Sequence, residues 1–238
     1  MPSLQSRNMQ SPISQDQIFL TEGDQWFRRN QGFLVPTETR DDAVSRFLRS
    51  ASFAPKRFLD IGCANGYALD YLVRLFPGAS GDGIEPSAEA VQDGQTRFPH
   101  LRLTRGVSHD LRAYADGQFD CITATFILHW VDRAQLWNTV AEIDRVLADG
   151  GHLLIADFAP PTPCKTRYHH LPDQAVYTYK QAYWELFTAS PRYAITQLQP
   201  FTHDGGADTD PMNRCMLAVL EKRSLDAAYP LVTVGNAH

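Results

Sequence analysis

Short apolar runs alternate with helical segments between Pro55 and Phe158. The runs read RFLDIG, GDGIEP, LRLTRG, FDCITATFIL and GHLLIADF, and helices are predicted to end near Phe76, Phe98 and Leu147. Such alternation favours an α/β fold, a doubly wound and mostly parallel sheet with helices on both faces. Because the crossovers in such sheets are right-handed, ligands are expected at the carboxyl ends of the strands.

Residues 1–54 are expected to form an N-terminal helical cap. QIFLTEGDQWFRRN is amphipathic, but Gly23 interrupts it and weakens the prediction of a single helix. A second helix is predicted in PTETRDDAVSRFLRS, with Pro36 and Thr37 as its start signals.

Residues 55–238 are expected to form the ligand-binding domain. Inside it, the helix over Arg133–Leu147 is expected to begin at an Asp132 cap and to end at Gly150 and Gly151. Residues 160–192, rich in Pro, Tyr and His, predict a loop and then a helix, inserted before two final strands in YAITQLQPF and RCMLAVLEKR.

Composition limits the class of partner. The 238 residues carry a net charge of −5 with no run of Lys or Arg, which disfavours nucleic acid. No apolar stretch approaches the roughly 20 residues that span a bilayer. The four cysteines are scattered and predict no disulfide framework. A cytoplasmic monomer or homodimer that binds neither nucleic acid nor membrane is therefore expected.

The turn DIGCANG after the first strand points to a nucleoside ligand. It lacks the G-x-G-x-x-G spacing that dinucleotides use, and the Asp60 carboxylate would repel a pyrophosphate. An acidic strand end suits S-adenosylmethionine, which carries an ammonium group for Asp60, while Gly62 and Gly66 permit close backbone approach. Glu85, at the end of the second strand, can accept hydrogen bonds from both ribose hydroxyls, a feature shared with NAD sites.

Four segments together resemble the class I S-adenosylmethionine-dependent methyltransferases of small-molecule type: FLDIGCANG, GIEPS, FDCITATFILHW and VLADGGHLLIADF. The resemblance runs from Arg57 to Phe158. It implies a seven-stranded sheet with an antiparallel last strand, S-adenosylmethionine as the cofactor, and cofactor roles for Asp60, Gly62, Gly66 and Glu85. Further cofactor-binding candidates are Cys63, Pro86, Ser108, His109 and Thr125.

The sequence departs from the family pattern at two places. Ala64 stands where many members have a middle glycine. GVSHDLRAY follows the third strand where many members place an acidic residue near the adenine, so Ser108 and His109 are candidates for that position.

The acceptor side is predicted to lie at the rim that follows the fourth strand. A methyltransferase must keep water from its sulfonium, so DQWFRRN and RYHHLPDQAVYTYK are expected to close the pocket. The catalytic candidates are His129, Tyr168, His170, Tyr179 and Lys180. The substrate-binding candidates are Trp26, Arg28, Arg29, Trp130 and Tyr177.

Among these candidates, Arg28, Arg29 and Lys180 favour an acceptor with a carboxylate or phosphate, whereas His129, Tyr168 and His170 are candidate proton acceptors. Each of these side chains also has a plain structural reading, as a packing or surface residue. Cys164, His169 and His170 lack a second ligand pair at a recognised spacing, so no metal is expected.

The predicted function is methyl transfer from S-adenosylmethionine to the O or N atom of a small molecule, such as a metabolite, natural-product or sugar intermediate. Two alternatives remain open. One is a different enzyme, either a non-methylating user of the same cofactor or an NAD-dependent oxidoreductase. The other is a regulatory module that binds the cofactor without turnover.

Overall fold

A seven-stranded sheet forms the centre of the computed structural model, which describes residues 15–206 and 210–232. The strand order is β3-β2-β1-β4-β5-β9-β8. The strands are β1 (Arg57–Ile61), β2 (Ser80–Glu85), β3 (Arg102–Arg105), β4 (Phe119–Thr125), β5 (Leu147–Phe158), β8 (Tyr193–Thr202) and β9 (Arg214–Lys222). Strands β1 to β5 are parallel, and β9 is antiparallel to both β5 and β8. The predicted doubly wound sheet with an antiparallel last strand is confirmed.

Helices cover both faces of this sheet. They are α1 (Gln15–Asn30), α2 (Ala43–Arg49), α3 (Tyr67–Leu75), α4 (Ala88–Arg97), α5 (Leu136–Val146), α6 (Glu185–Thr188) and α7 (Leu225–Ala228). Alternate residues of β1 serve the two cores: Phe58 packs with α3 and α4, while Leu59 packs with Ile143 of α5. None of the helices within the described residues combines the length and apolar content that crossing a bilayer requires.

The two N-terminal helices differ from the sequence prediction. Helix α1 continues through Gly23. This glycine lies where α1 crosses the start of α4, and a Cβ there would come within 3.3 Å of the Ser87 backbone nitrogen. Helix α2 begins at Ala43, well after Pro36 and Thr37, because Asp42 caps it by accepting a hydrogen bond from the Ser45 backbone N–H at 2.9 Å.

The predicted start of α5 and its predicted glycine stop were wrong, whereas its predicted end at Leu147 is one residue past the observed end. The helix begins at Leu136, and Asp132 instead accepts from the Ala134 backbone N–H in the preceding turn. The helix ends at Val146 and the chain enters β5 directly, so that Gly150 and Gly151 lie inside the strand.

Residues 160–192 form a β-hairpin and the short helix α6, so the prediction of a loop before the helix was wrong. The hairpin pairs β6 (Cys164–Arg167) with β7 (Tyr177–Lys180), antiparallel. Thr166 and Thr178 lie directly opposite each other and their hydroxyls share a hydrogen bond of 2.7 Å. Such cross-strand pairs stabilise a hairpin whose sequence is too polar to read as a buried strand.

Helix α4 approaches the turn after β1 closely, and Gly94 makes this approach possible. A Cβ at Gly94 would lie 2.3 Å from the Asn65 carbonyl oxygen and 2.4 Å from Leu103 Cδ1. Gly94→Ala is therefore expected to lower the free energy of unfolding by about 1–2 kcal/mol, net of the better helix propensity of Ala. Gly32→Ala, where a Cβ meets nothing within 4 Å, is the control and should change stability by less than about 0.5 kcal/mol. Equal denaturation midpoints for the two variants would contradict this account of the packing.

Candidate functional site

The carboxyl ends of β1, β2 and β4 open into a first cavity that α1 covers. It encloses about 930 Å³ of empty space, some of it continuous with solvent. Its lining is mostly apolar and aromatic. The aromatic lining residues are Phe19, Trp26, Phe126, Trp130 and Tyr168, and the polar ones are Glu22, Glu85, Ser108 and His109.

Glu85 is the buried carboxylate of this cavity, with 8% of its surface exposed. One carboxylate oxygen accepts from the Ala64 backbone N–H at 3.0 Å and the other from the Ser87 backbone N–H at 2.9 Å. Each oxygen therefore keeps acceptor capacity toward the cavity. Burial raises the pKa of the Glu85 carboxyl to about 7, although both backbone hydrogen bonds act in the opposite direction.

The turn after β1 requires both of its glycines whatever it binds. Gly62 has φ +73°, and a Cβ there would lie 2.1 Å from Ile127 Cγ2. Gly66 has φ +82° and faces Leu101 and Leu103. Ala64 between them also has a positive φ, of 51°, a backbone conformation that favours glycine and costs other residues strain. This explains why a glycine would be acceptable at position 64.

The predicted cofactor residues divide into two groups. Gly62, Glu85, Pro86, Ser108 and His109 line the first cavity, and the Ser108 hydroxyl also bonds Thr139 at 3.0 Å. The residues that do not line the cavity are Asp60, Cys63, Gly66 and Thr125.

Asp60 lies one layer deeper, inside the sheet. Its carboxylate accepts from the hydroxyl of Thr123 at 2.7 Å, because these two residues are register partners on β1 and β4. Burial raises the pKa of Asp60 to about 6. Burial also raises the pKa of the neighbouring Cys63 thiol, which marks that side chain as an unreactive core thiol.

A second cavity of about 770 Å³ adjoins the first. Trp26, Trp130 and Tyr168 line both cavities and form the wall between them. The second cavity is rich in basic side chains. These are His129, Arg167, His169, His170, Lys180 and His203.

His129 forms a buried pair with Asp157 at the wall of the second cavity. Its Nδ1 lies 2.7 Å from Asp157 Oδ1, and its backbone N–H donates to Asp157 Oδ2 at 3.2 Å. The carboxylate fixes Nδ1 as the protonated nitrogen, so that Nε2 of the neutral ring is the acceptor. The side chains of His129 and Asp157 are 5% and 2% exposed, so the pair is held out of bulk water.

Asp157 was missed at the sequence level, although a signal for it existed. Strands β4 and β5 are parallel neighbours, with Thr125 opposite Ala156. Their carboxyl ends therefore meet, and a carboxylate ending β5 must lie beside the residues that follow β4.

Tyr168 contributes its ring rather than a free hydroxyl. The hydroxyl donates to Glu22 at 2.7 Å and accepts from Arg29 at 2.8 Å, and Arg29 also pairs with Glu22. Burial and the Glu22 carboxylate raise the pKa of Tyr168 above its usual range, which disfavours a role as a proton acceptor. The ring packs edge-on against Trp130 with centroids 4.7 Å apart.

The remaining acceptor-side candidates fall into those that line the second cavity and those that line neither cavity. His170 and Lys180 line the second cavity, whereas Arg28, Arg29, Tyr177 and Tyr179 line neither cavity. Arg28 pairs with Glu89 at the surface. The Tyr177 ring lies beneath Lys165, and the Tyr179 ring beneath Arg133.

From the sequence, no metal ion is expected at Cys164, His169 and His170. Within residues 15–206 and 210–232, no group of three or more His, Cys, Asp or Glu side chains has the geometry to hold a metal ion. The Cys164 thiol instead contacts the Met212 sulfur at 3.8 Å.

Sequence comparison shows known proteins that are similar to part of this chain. Residues 59–153 match a family model described as a methyltransferase domain. A malonyl-[acyl-carrier protein] O-methyltransferase of Halorhodospira halophila is 30% identical over 137 residues, which are 57% of this chain and 45% of that protein. The chain thus spans about half the length of the curated relatives it matches.

Solved structures extend the match to most of the chain. The 1,6-didemethyltoxoflavin-N1-methyltransferase of Burkholderia thailandensis, solved with 1,6-didemethyltoxoflavin and S-adenosylhomocysteine, has a TM-score of 0.65 at 13% identity and covers 94% of this chain and 99% of its own. The 4+2 cyclase SpnF has a TM-score of 0.64 at 15% identity and covers 89% and 97%. Residues 59–153 are thus similar in sequence to a methyltransferase domain, and the fold is similar to that of solved S-adenosylmethionine-dependent methyltransferases, in agreement with the sequence motifs.

The buried Glu85 predicts a pH-dependent stability. The pKa of this carboxyl rises from 4.5 to about 7 on folding, so the folded state holds the proton more tightly than the unfolded chain. Stability from this group is therefore present at low pH and is lost as the pH rises through that interval. In the wild type, the free energy of unfolding should fall by about 1–3 kcal/mol over this pH range because of Glu85, and Glu85→Gln should remove that fall. Glu89→Gln, at a partly exposed acid outside the cavity, should keep the wild-type slope in denaturation experiments across this range. An unchanged slope in Glu85→Gln would contradict the assignment.

Proposed function

We propose that the protein binds S-adenosylmethionine in the first cavity and methylates a small molecule held in the second. The observation that carries this proposal is the wall that the two cavities share, made by Trp26, Trp130 and Tyr168. A cofactor on one side of this wall and an acceptor on the other are adjacent, and both are covered by α1 and the β6–β7 hairpin.

The first cavity suits the nucleoside part of the cofactor. Glu85 offers two carboxylate oxygens to the ribose hydroxyls, and the hydrogen bonds they accept favour its ionised form. The apolar side chains of Ile84 and Val107 suit a flat purine, beside Ser108 and His109. Asp60, Cys63, Gly66 and Thr125 support the same cleft from behind, whereas the family resemblance implies direct cofactor contact for Asp60 and Gly66.

The His129–Asp157 pair suits an acceptor whose O or N atom arrives protonated. Bound in the first cavity, S-adenosylmethionine supplies an electrophilic methyl group on a good leaving group. His129 Nε2 takes the proton that the acceptor atom loses, while Asp157 keeps the ring in the required tautomer and stabilises its charged form. Trp26, Trp130 and Tyr168 exclude water from the space between the cavities. His170 and Lys180 contact the acceptor, and Tyr177 and Tyr179 position the hairpin.

The relatives support a small-molecule acceptor. Their names include a malonyl-[acyl-carrier protein] O-methyltransferase, a fatty-acid O-methyltransferase and a demethylmenaquinone methyltransferase. The toxoflavin enzyme acts on nitrogen. The cyclase SpnF supports the second candidate, a non-methylating enzyme on the same fold.

The proposal includes three wider features. Residues 1–54 act as a cap on the domain formed by residues 55–238, with residues 160–192 as the lid, because α1 and the hairpin line both cavities. The four free cysteines support a cytoplasmic location. The protein acts as a monomer or homodimer without a membrane partner, and the net charge of −5 supports the absence of a nucleic-acid partner.

Glu85→Ala should weaken S-adenosylhomocysteine binding in calorimetry about tenfold to a hundredfold, because two ribose hydroxyls lose a charged acceptor. Glu89→Ala, at the start of α4 and outside both cavities, should bind like wild type. NAD is titrated in parallel. Wild-type affinity in Glu85→Ala, or tighter binding of NAD than of S-adenosylhomocysteine, would overturn this placement of the cofactor.

His129→Asn should lower kcat by about a hundredfold or more on any acceptor that supports S-adenosylhomocysteine formation. Its Kd for S-adenosylhomocysteine should stay near wild type, because His129 lines only the second cavity. Asp157→Asn should lower kcat less and shift the pH profile of kcat. Unchanged kcat in His129→Asn would show that the proton goes elsewhere, and formation of a product without methyl transfer would favour the non-methylating candidate.

A further inference from the structure

The second cavity has an uneven distribution of charge. Lys180 and Arg167 contribute cations and His129, His169, His170 and His203 contribute imidazoles, whereas no Asp or Glu is among its lining residues within the described chain. Arg28 and Arg29, which were expected to add positive charge to the acceptor site, do not line this cavity. Arg28 is neutralised by Glu89 and Arg29 by Glu22.

Lys180 is the most buried cation of this cavity. Its ammonium lies 3.7 Å from the centroid of the Phe158 ring and donates to the Met212 carbonyl oxygen at 3.1 Å. An ammonium has three donors, and these contacts leave room for an acceptor from the cavity side. His203 stacks on the same Phe158 ring at 5.0 Å, and the ring of His129 lies 5.1 Å from it.

The acidic groups near Lys180 are already bound to other donors. Asp157 accepts from His129 and the Phe158 backbone N–H. Asp210 accepts from the Met212 backbone N–H, and Asp204 from the Gly206 backbone N–H. The Cys164 and Cys215 thiols also face this region. Among the described residues, no carboxylate lies within ion-pair distance of Lys180, so its ammonium has no ion-pair partner there.

The neighbouring histidines register this excess of positive charge. Burial lowers the pKa of His203, and the nearby His129 and Lys180 lower it further. At the cavity mouth, burial lowers the pKa of His170; Arg29 and His169 lower it further, and Glu22 opposes them. Bound anions reverse such effects, because they give buried cations a partner.

We propose that the acceptor carries an anionic group, a carboxylate or a phosphate, that binds Lys180 at the Phe158 end of the second cavity. This inference rests on the proposed function. The anion binds Lys180 and His203 beside the Phe158 ring. His129, whose ring lies 5.1 Å from Phe158 and 5.0 Å from Trp130, faces the atom that is methylated on the Trp130 side. Lys180 is thus a specificity-determining residue, and Arg167 and His170 attract the anion at the mouth.

The test is calorimetric titration of the full chain, with and without saturating S-adenosylhomocysteine. The probes are phenylacetate, phenyl phosphate and the neutral phenylacetamide, so that the two anion chemistries are compared directly. Lys180→Met removes the charge and keeps the length of the side chain. Lys165→Met is the matched control, because Lys165 lies on the same hairpin over the Tyr177 ring and outside the cavity.

At least one anionic probe is expected to bind about tenfold more tightly than phenylacetamide, and Lys180→Met should lose most of that difference. Lys165→Met should keep it, and added salt should reduce it in the wild type. Equal binding of anions and amide, equal losses in the two variants, or no anion binding up to about 10 mM would overturn the inference. The salt series on the wild type decides the question should Lys180→Met fail to fold. S-adenosylhomocysteine binding is read separately, so its absence would count against the proposed function and not against the anion site.

Discussion

The buried carboxylate of Glu85 is the interaction on which the site depends. One oxygen binds the turn after β1 through Ala64, and the other binds the start of α4 through Ser87. The Ser87 hydroxyl in turn donates to Asp24 of α1 at 2.7 Å. A single carboxylate thus connects the glycine turn, the second crossover helix and the covering helix. Burial of a carboxylate is costly, so hydrogen bonds from the two hydroxyls of a ligand would stabilise the ionised form of Glu85.

The wall of Trp26, Trp130 and Tyr168 turns one large cleft into two compartments. Its parts come from α1, from the segment after β4 and from the hairpin, three regions far apart in sequence. Phe19 packs edge-on against Trp130 at 5.0 Å and joins α1 to the wall. Glu22, Arg29 and Tyr168 tie the same helix to the hairpin by hydrogen bonds. These contacts join α1 to the hairpin at the wall that lines both compartments.

Local patterns in the sequence predicted the sheet and part of the lining of the first cavity. Strand ends and turns are encoded by adjacent residues, so Gly62, Glu85 and Ser108 could be found from the residues around them. The roles of the glycines differ from the expectation, because Gly62 is required by the Ile127 side chain that follows β4. Because Gly62 and Ile127 are far apart in the sequence, no pattern of neighbouring residues could have predicted this contact.

The second cavity depends on contacts that the sequence does not encode locally. The hairpin was missed because its stability comes from cross-strand pairs such as Thr166 with Thr178 and not from a buried apolar run. His203 enters from the connection between β8 and β9, next to Phe158, through the pairing of β5 with β9 and of β9 with β8. Arg28 and Arg29 look like free cations in the sequence, yet Glu89 and Glu22 neutralise them.

A crystal structure of the protein with S-adenosylhomocysteine tests the two-compartment account most directly. The account predicts both ribose hydroxyls within about 3.2 Å of the Glu85 carboxylate and the sulfur facing the wall of Trp26, Trp130 and Tyr168. A ribose bound away from Glu85, or a sulfur turned from the second cavity, would contradict it.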